Sequence, residues 1–179
     1  MMIEVKKFYL LLHPRPAYVV GSGKWGERVN FMAASWVSPV GEEPPSVMVA
    51  LGTETLTLEL IEKYGDFSVN VVPVSSLDKL YYVGSRSGRE EDKSSVFEAI
   101  RGERIGAPVI KEAIGVLECK LVRELELGDV KLILGEVMSA RADGKFFNER
   151  SGWNFREVNL PLHNWGKGFF QVGSYLKAK

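Results

Sequence analysis

Cysteine, histidine and net charge are what this chain has least of. One cysteine and two histidines among 179 residues exclude an internal disulfide and a zinc site built from Cys and His. The 23 basic and 23 acidic side chains cancel, so no overall field draws the chain to nucleic acid or to an anionic membrane; a local basic pocket stays open. Long apolar runs are also missing. Phe8–Leu12 follows Lys6-Lys7 in the manner of a signal peptide, but it ends at His13-Pro14, short of the roughly 7–15 apolar residues such a signal needs. No run approaches the roughly 18 residues that cross a bilayer. The N-terminal stretch is therefore expected to pack on the body as a lead-in, and the lone Cys119 fits a reducing, cytoplasmic setting. The length is that of one domain over residues 1–179, large enough for a core without staples.

Familiar catalytic signatures are absent as well. There is no GxSxG elbow, no GxxxxGK[ST] phosphate loop and no HExxH. Gly21-Ser22-Gly23-Lys24-Trp25-Gly26 spells GxGxxG, but a strand is expected to follow it where a dinucleotide site needs a helix. No catalytic acid, base or nucleophile can be assigned from these residues, and no metal site.

What is present begins with two strand-like runs, 30–39 and 44–52, joined through a proline-containing loop. A packed sheet would be satisfied there by Val, Ile and Leu. Instead Ala33, Ala34, Ser35, Ala50 and Gly52 gather beside Trp36 and Leu51, a composition that lets backbone approach a flat ligand against an aromatic wall. Ahead of them, 17–21 reads as a strand turned at 22–26 into Arg28–Val37, with Val47–Leu51 completing a three-strand core. Trp25, near the turn, is either a contact surface or a ring tucked under the loop.

Thr53-Glu54-Thr55 supplies N-caps for a helix with Thr57, Leu60, Ile61 and Tyr64 on one face, a Glu59–Lys63 pair and Gly65 just past its end. The Thr57 hydroxyl then faces inward and needs a partner, either a carbonyl one turn back or a ligand. A strand over 67–72 ends at Pro73. Ser75-Ser76 caps a short helix with Leu77, Leu80 and Tyr81 inward, closing at Gly84, and Ser94 caps a third helix ended by Gly102. From Gly115 the pattern alternates, Leu117, Cys119, Leu121, Leu125 and Leu127 against Glu118, Lys120, Glu124 and Glu126, as in a half-exposed strand that turns at Gly128-Asp129 into Val130–Arg141. Cys119 falls on the apolar face, where a structural thiol is expected. The tail scatters Trp153, Phe155, Trp165, Phe169, Phe170 and Tyr175 without period, as aromatic loops that close a core, a pocket or an interface. His163 is either a structural histidine or a ligand contact.

Between these elements lies Ser85-Arg86-Ser87-Gly88-Arg89-Glu90-Glu91-Asp92-Lys93. Arg86, Arg89, Lys93, Ser85 and Ser87 are the donors that a phosphomonoester needs, and the ring slot around Ala33–Trp36 and Ala50–Gly52 suits an isoalloxazine. The alternative is a solvated charged loop. The order of strands, short helices and a long hairpin predicts a mostly antiparallel, mainly β (α+β) barrel with helices at its margins.

His13-Pro14-Arg15-Pro16, Asn30-x-x-Ala33-Ala34-Ser35-Trp36-Val37-Ser38-Pro39, Pro44-Pro45, Thr57-x-x-x-Ile61, 65–71 and Gly84-Ser85-Arg86-Ser87-Gly88-Arg89-x-x-Asp92-Lys93, in that order, resemble the flavin reductase-like family, its flavoredoxin and archaeal ferric reductase branch above all. The resemblance implies an FMN-binding split β-barrel, a homodimer with non-covalent FMN near the subunit interface. It implies electron transfer from NADH, NADPH or a protein donor to free flavin, a ferric complex or another acceptor, or else a non-catalytic FMN electron carrier. By position, Ala34-Ser35-Trp36 would line the flavin with Trp36 beside the ring. Thr57 and Lys93 would contact FMN, Ser85-Arg86-Ser87 would lie near it, and Phe169 or Phe170 would cover it. Two departures stand out: Ala33 or Ala34 replaces a second hydroxyl that some members carry, and His163 alone can match a histidine that some place near the flavin.

Overall fold

The computed structural model describes residues 2–178. Seven strands form its main sheet: β1 (Tyr18–Lys24), β2 (Arg28–Ala34), β3 (Val37–Glu42), β4 (Pro45–Gly52), β5 (Asp66–Val71), β6 (Gly115–Leu127) and β7 (Val130–Ala142). Their order is β2-β1-β5-β6-β7-β4-β3, with every neighbouring pair antiparallel. The two edge strands are consecutive in the chain, with Ser35 and Trp36 alone between them. In a flat sheet the edges would stand roughly 29 Å apart, whereas the link from Ala34 to Val37 reaches at most about 10 Å. The sheet must therefore curl until its edges approach. The result is a mainly β, antiparallel split barrel with short flanking helices.

Alternation decides what fills it. Val20, Val47, Val49, Leu51, Phe67, Val69, Cys119 and Ile133 point inward, and Leu58 and Ile61 of helix α1 (Leu56–Tyr64) join them. Gly135 makes room for Phe67, whose ring a Cβ there would meet at 2.4 Å. Outside the sheet, Val19 and Phe31 pack with Leu80 and Val83 of helix α2 (Leu77–Ser85), and with Phe97 and Ile110. The α1 ends behave as expected: Thr55 Oγ1 accepts from Leu58 N at 3.3 Å, and Gly65 takes φ 75°.

Several expectations need correction. The run from Arg28 is not one strand to Val37, because it breaks at Ser35-Trp36 where the chain passes from one sheet edge to the other. The Ser76 side chain makes no cap bond, since a 3₁₀ turn over Val74–Ser76 runs straight into α2. No helix follows Ser94: Phe97 is buried on the outer core and Ala99–Arg101 pairs with Pro108–Ile110. Leu125 and Leu127 are exposed although Leu121 is half-buried, because a bulge between the Leu134/Arg123 and Gly135/Leu121 pairs inverts the alternation. Glu118, expected on the solvent face, is wholly buried: it accepts from the backbone N–H groups of Glu103 and Arg104 and pairs with Arg141.

Candidate functional site

Strand β2 carries two cavities, one toward each end. The larger, about 700 Å³, is bounded by Trp25, Arg28, Asn30, Leu56, Gly88 and Lys93 among others. The smaller, about 150 Å³, is lined by Ala33, Ala34 and Ser35, by Leu80, Tyr81, Gly84 and Ser85 of α2, and by His163 and Phe169. The first has the volume of a ligand site, the second that of a single ring. From Asn30 to Ala33, the facing lining residues of the two, the strand advances about 10 Å.

The segment from α2 to Gly88 separates the two cavities. A Cβ on Gly84 would stand 2.8 Å from the Ala33 Cβ, and one on Gly88 would stand 2.5 Å from Asn30 Oδ1. Both glycines are thus required by close approach to β2. Lys93 holds this segment down. Its Nζ is buried and donates to Val83 O at 2.8 Å and to Arg86 O at 2.9 Å, tying the α2 C-terminus. Burial lowers the Lys93 pKa, with Glu91 working in the opposite sense. An ammonium has three N–H donors, so one remains after those two bonds.

The Thr57 hydroxyl does not turn back on its own helix. It accepts from Asn30 Nδ2 at 2.9 Å, and the same amide donates to Ser22 Oγ at 3.1 Å. This buried trio closes the barrel beneath the larger cavity. Arg86 and Arg89 are engaged too: Arg86 pairs with Glu91 at 3.0 Å and Arg89 with Glu59 at 2.7 Å, while Arg89 Nε donates to Glu54 O. Ser87 Oγ accepts from Arg89 N. The loop's two arginines therefore answer carboxylates in this structure. Arg28, at the same cavity, pairs with no carboxylate among the described residues. It precedes the stretch that drew notice in the sequence, and only the turn-strand junction at 26–28 could have flagged it.

Of the residues expected at the ring slot, Ala33, Ala34, Ser35 and Phe169 meet at the smaller cavity; Ser85, expected among the phosphate donors, lies there with them. Leu51 does not, because its side chain lies in the barrel core; Ala50 and Gly52 flank it on β4 and line neither cavity. Trp36 stands at the corner after Ser35, partly exposed, with Tyr9 at 6.1 Å and the Arg15 guanidinium 5.2 Å from its ring centre. The lead-in is packed through Tyr9, which also stacks on Trp165 at 5.9 Å, while Phe8, Leu11 and Leu12 remain exposed.

A second small sheet completes this wall. Arg15-Pro16 pairs with Leu162–Trp165, which pairs with Gly168–Phe170. Arg15, His163 and Phe169 are register partners across it. The His163 pKa is lowered, chiefly by burial and further by His13 and Arg15, against a raising contact with Gly166 O.

Among the described residues no group of three or more His, Cys, Asp or Glu gathers to hold a metal ion, and no helix is long and apolar enough to cross a membrane. Cys119 in the core has its thiol pushed up to about 12, by burial and then by Glu118.

Residues 10–173 match the flavin reductase like domain. The chain is 35% identical over 174 residues to the uncharacterized protein YddH of Escherichia coli (strain K12), covering 94% of this chain and 92% of that one. It is 28% identical over 136 residues to an NADH-dependent FAD reductase of Streptomyces globisporus, 73% of each chain. A flavoredoxin crystal structure from Methanosarcina acetivorans superposes with a TM-score of 0.89 at 30% identity, covering 99% of this chain and 95% of that one.

Proposed function

This chain belongs to the flavin reductase-like domain family, and from that premise we propose that it binds FMN non-covalently and passes electrons from NADH, NADPH or a protein donor to free flavin, a ferric complex or another acceptor. One observation carries the reading: a cavity with donors for a phosphate and a small-residue cavity with room for a ring stand on the same strand, at Asn30 and at Ala33, on either side of the 84–88 segment. At the first end the remaining Lys93 donor, Arg28, Ser94 and the end of the 85–89 loop are the donors open to a phosphate, with Glu27, Glu91 and Asp92 on the same wall. At the second, Ala33, Ala34 and Ser35 admit backbone to a flat ring, with Phe169 to flank it; Trp36, at the corner just after Ser35, lines neither cavity. Thr57 acts one step removed, holding Asn30 at the cavity.

Bound flavin supplies hydride and single-electron chemistry. The chain's own part is to grip the phosphate, orient the ring and keep one face open. Exposed Val40, Val122, Leu125 and Leu127 on the strands support a homodimer that covers them. The single cysteine, free in the core, is compatible with a reducing, cytoplasmic setting.

The test is reconstitution with FMN and a comparison with riboflavin, which lacks the phosphate. Bound-flavin absorbance is expected, and Arg28→Met should weaken FMN roughly tenfold or more with little effect on riboflavin. A protein that leaves the absorbance and fluorescence of FMN unchanged would end this reading. Rapid bleaching by NADH or NADPH selects the enzyme; reduction only by a partner protein selects a carrier like the flavoredoxins.

A further inference from the structure

Residues 102–110 cross the outside of the sheet as a strap, and the strand beneath them is built to hold it. Phe67 and Val69 of β5 point into the barrel, so Asp66, Ser68 and Asn70 point out. Each of the three takes one main-chain group of the strap. Asp66 Oδ2 accepts from Gly106 N at 2.8 Å, Ser68 Oγ donates to Pro108 O at 2.7 Å, and Asn70 Oδ1 accepts from Ile110 N at 2.9 Å. Steps of two along β5 thus match steps of two along the strap. Gly21 on the neighbouring β1 leaves the space, since a Cβ there would stand 2.4 Å from both Pro108 O and Ser68 Oγ. Near the strap's start, the buried Glu118 carboxylate accepts from Glu103 N at 3.1 Å and from Arg104 N at 2.6 Å.

The Asp66 anchor differs from the others in what lies beyond it. Gly106, whose N–H it holds, accepts with its carbonyl from Trp25 N at 2.8 Å. Trp25 opens the turn between β1 and β2, and Trp25, Gly26, Glu27 and Arg28 all line the larger cavity. Within the hairpin the turn is closed by Glu27 N donating to Lys24 O, and Gly26 takes φ 82°, which glycine reaches without strain. The bond to Gly106 O is the one main-chain hydrogen bond that reaches this turn from outside the hairpin among the described residues. A single peptide link therefore runs from the Asp66 carboxylate to the wall that carries Arg28.

We propose that Asp66 is a positioning residue for the phosphate end of the site: through Gly106 and Trp25 it sets the 25–28 turn, and with it Arg28, so that the site favours a phosphorylated flavin over riboflavin. The proposal rests on the flavin reading above. The sign of the effect separates positioning from plain electrostatics. A carboxylate near an anion opposes its binding, so removing the Asp66 charge would by itself strengthen FMN binding. Loss of the anchor weakens it instead, because Arg28 is no longer held toward the cavity.

The test compares Asp66→Ala, Asp66→Asn and Ser68→Ala in the full chain. Each is judged by the ratio of FMN to riboflavin affinity and by hydrogen exchange of the Trp25 amide in isotope-labelled protein. Asp66→Ala is expected to lower the ratio roughly fivefold and to speed Trp25 exchange roughly tenfold. Asp66→Asn, which keeps an oxygen for Gly106 N, should restore both. Ser68→Ala removes the next anchor along and should lower the urea midpoint, yet leave the ratio and the exchange as in the parent. A ratio unchanged or raised in Asp66→Ala overturns the proposal. An equal fall in Ser68→Ala also overturns it, since the strap would then be general scaffold. If the parent binds no FMN, the flavin reading has failed on its own account, and Trp25 exchange alone decides whether Asp66 sets the turn: equal rates in parent and Asp66→Ala would refute it.

Discussion

The two ends of β2 handle polar groups differently. At the Asn30 end almost everything is answered from within: Asn30 by Thr57 and Ser22, Lys93 by two carbonyls, Arg86 and Arg89 by glutamates. At the Ser35 end the strong donors are few, and Arg15 has neither a carboxylate nor a partner for Nε. A closed network fixes geometry, because breaking one bond strands its partner at full desolvation cost. An open one has capacity for a ligand. The Asn30 end is therefore the scaffold that presents two free cation contacts, Lys93's last donor and Arg28, and the Ser35 end is the more adaptable half.

The sharpest way to break this contrast is Lys93→Met. The substitution keeps the stem's volume and leaves Val83 O and Arg86 O without the charged donor, so a loss of about 2–3 kcal/mol is expected, read from the urea midpoint. FMN affinity should fall with it. A change below about 0.5 kcal/mol would mean that Lys93 is a free ligand contact and that the end is not closed.

Gly84→Ala probes the boundary between the halves and should matter less. Alanine gains about 1 kcal/mol of helix propensity over glycine. Its Cβ would lie 2.8 Å from that of Ala33, and overpacking of this kind costs about 1–3 kcal/mol. The steric term wins, for a net loss of about 1 kcal/mol, and Ala33→Gly in the same protein should restore most of it. Failure of the double variant to recover would show that α2 already yields at this point.

Arg86→Ala should lie below both. Arg86 is about half-exposed and Glu91 partly exposed, so removing the pair is expected to change stability by no more than about 0.5 kcal/mol. Its value lies in the contrast with Lys93, seven residues on in the same loop. If the two variants behave alike, burial is not what separates them.

The sequence made most of this legible where local rules act. The α1 cap, the Gly65 stop and the long β6–β7 hairpin follow from propensity and period. What could not be read depends on which strands become neighbours. That Ser35-Trp36 is a corner follows only from β2 and β3 being opposite edges, and Glu118 is buried only because residues 103–105 fold across it. The site divided similarly. Ala33–Ser35, Ser85, Phe169 and Lys93 stood out by type, but their sorting into two cavities, and the engagement of Arg86 and Arg89 with Glu91 and Glu59, come from side chains distant in the chain. His13 and Arg15 were visible only as a motif; the register Arg15–His163–Phe169 is what shows where they stand.

The smallest expected effect tests the open end through pH. His163 has its folded-state pKa held below the ordinary 6.5, first by burial, with His13 and Arg15 beside it. Above that value both folded and unfolded chains carry the neutral ring, and its contribution to stability is complete. As pH falls below it the unfolded chain takes up the proton first, so that contribution is lost until the folded-state pKa is reached. His163→Asn should remove this part of the acid slope, so the stability difference between parent and variant should shrink between about pH 7 and pH 5, measured from urea midpoints. A difference that ignores pH would place His163 in a solvated, uncoupled position and remove it from the open half of the comparison.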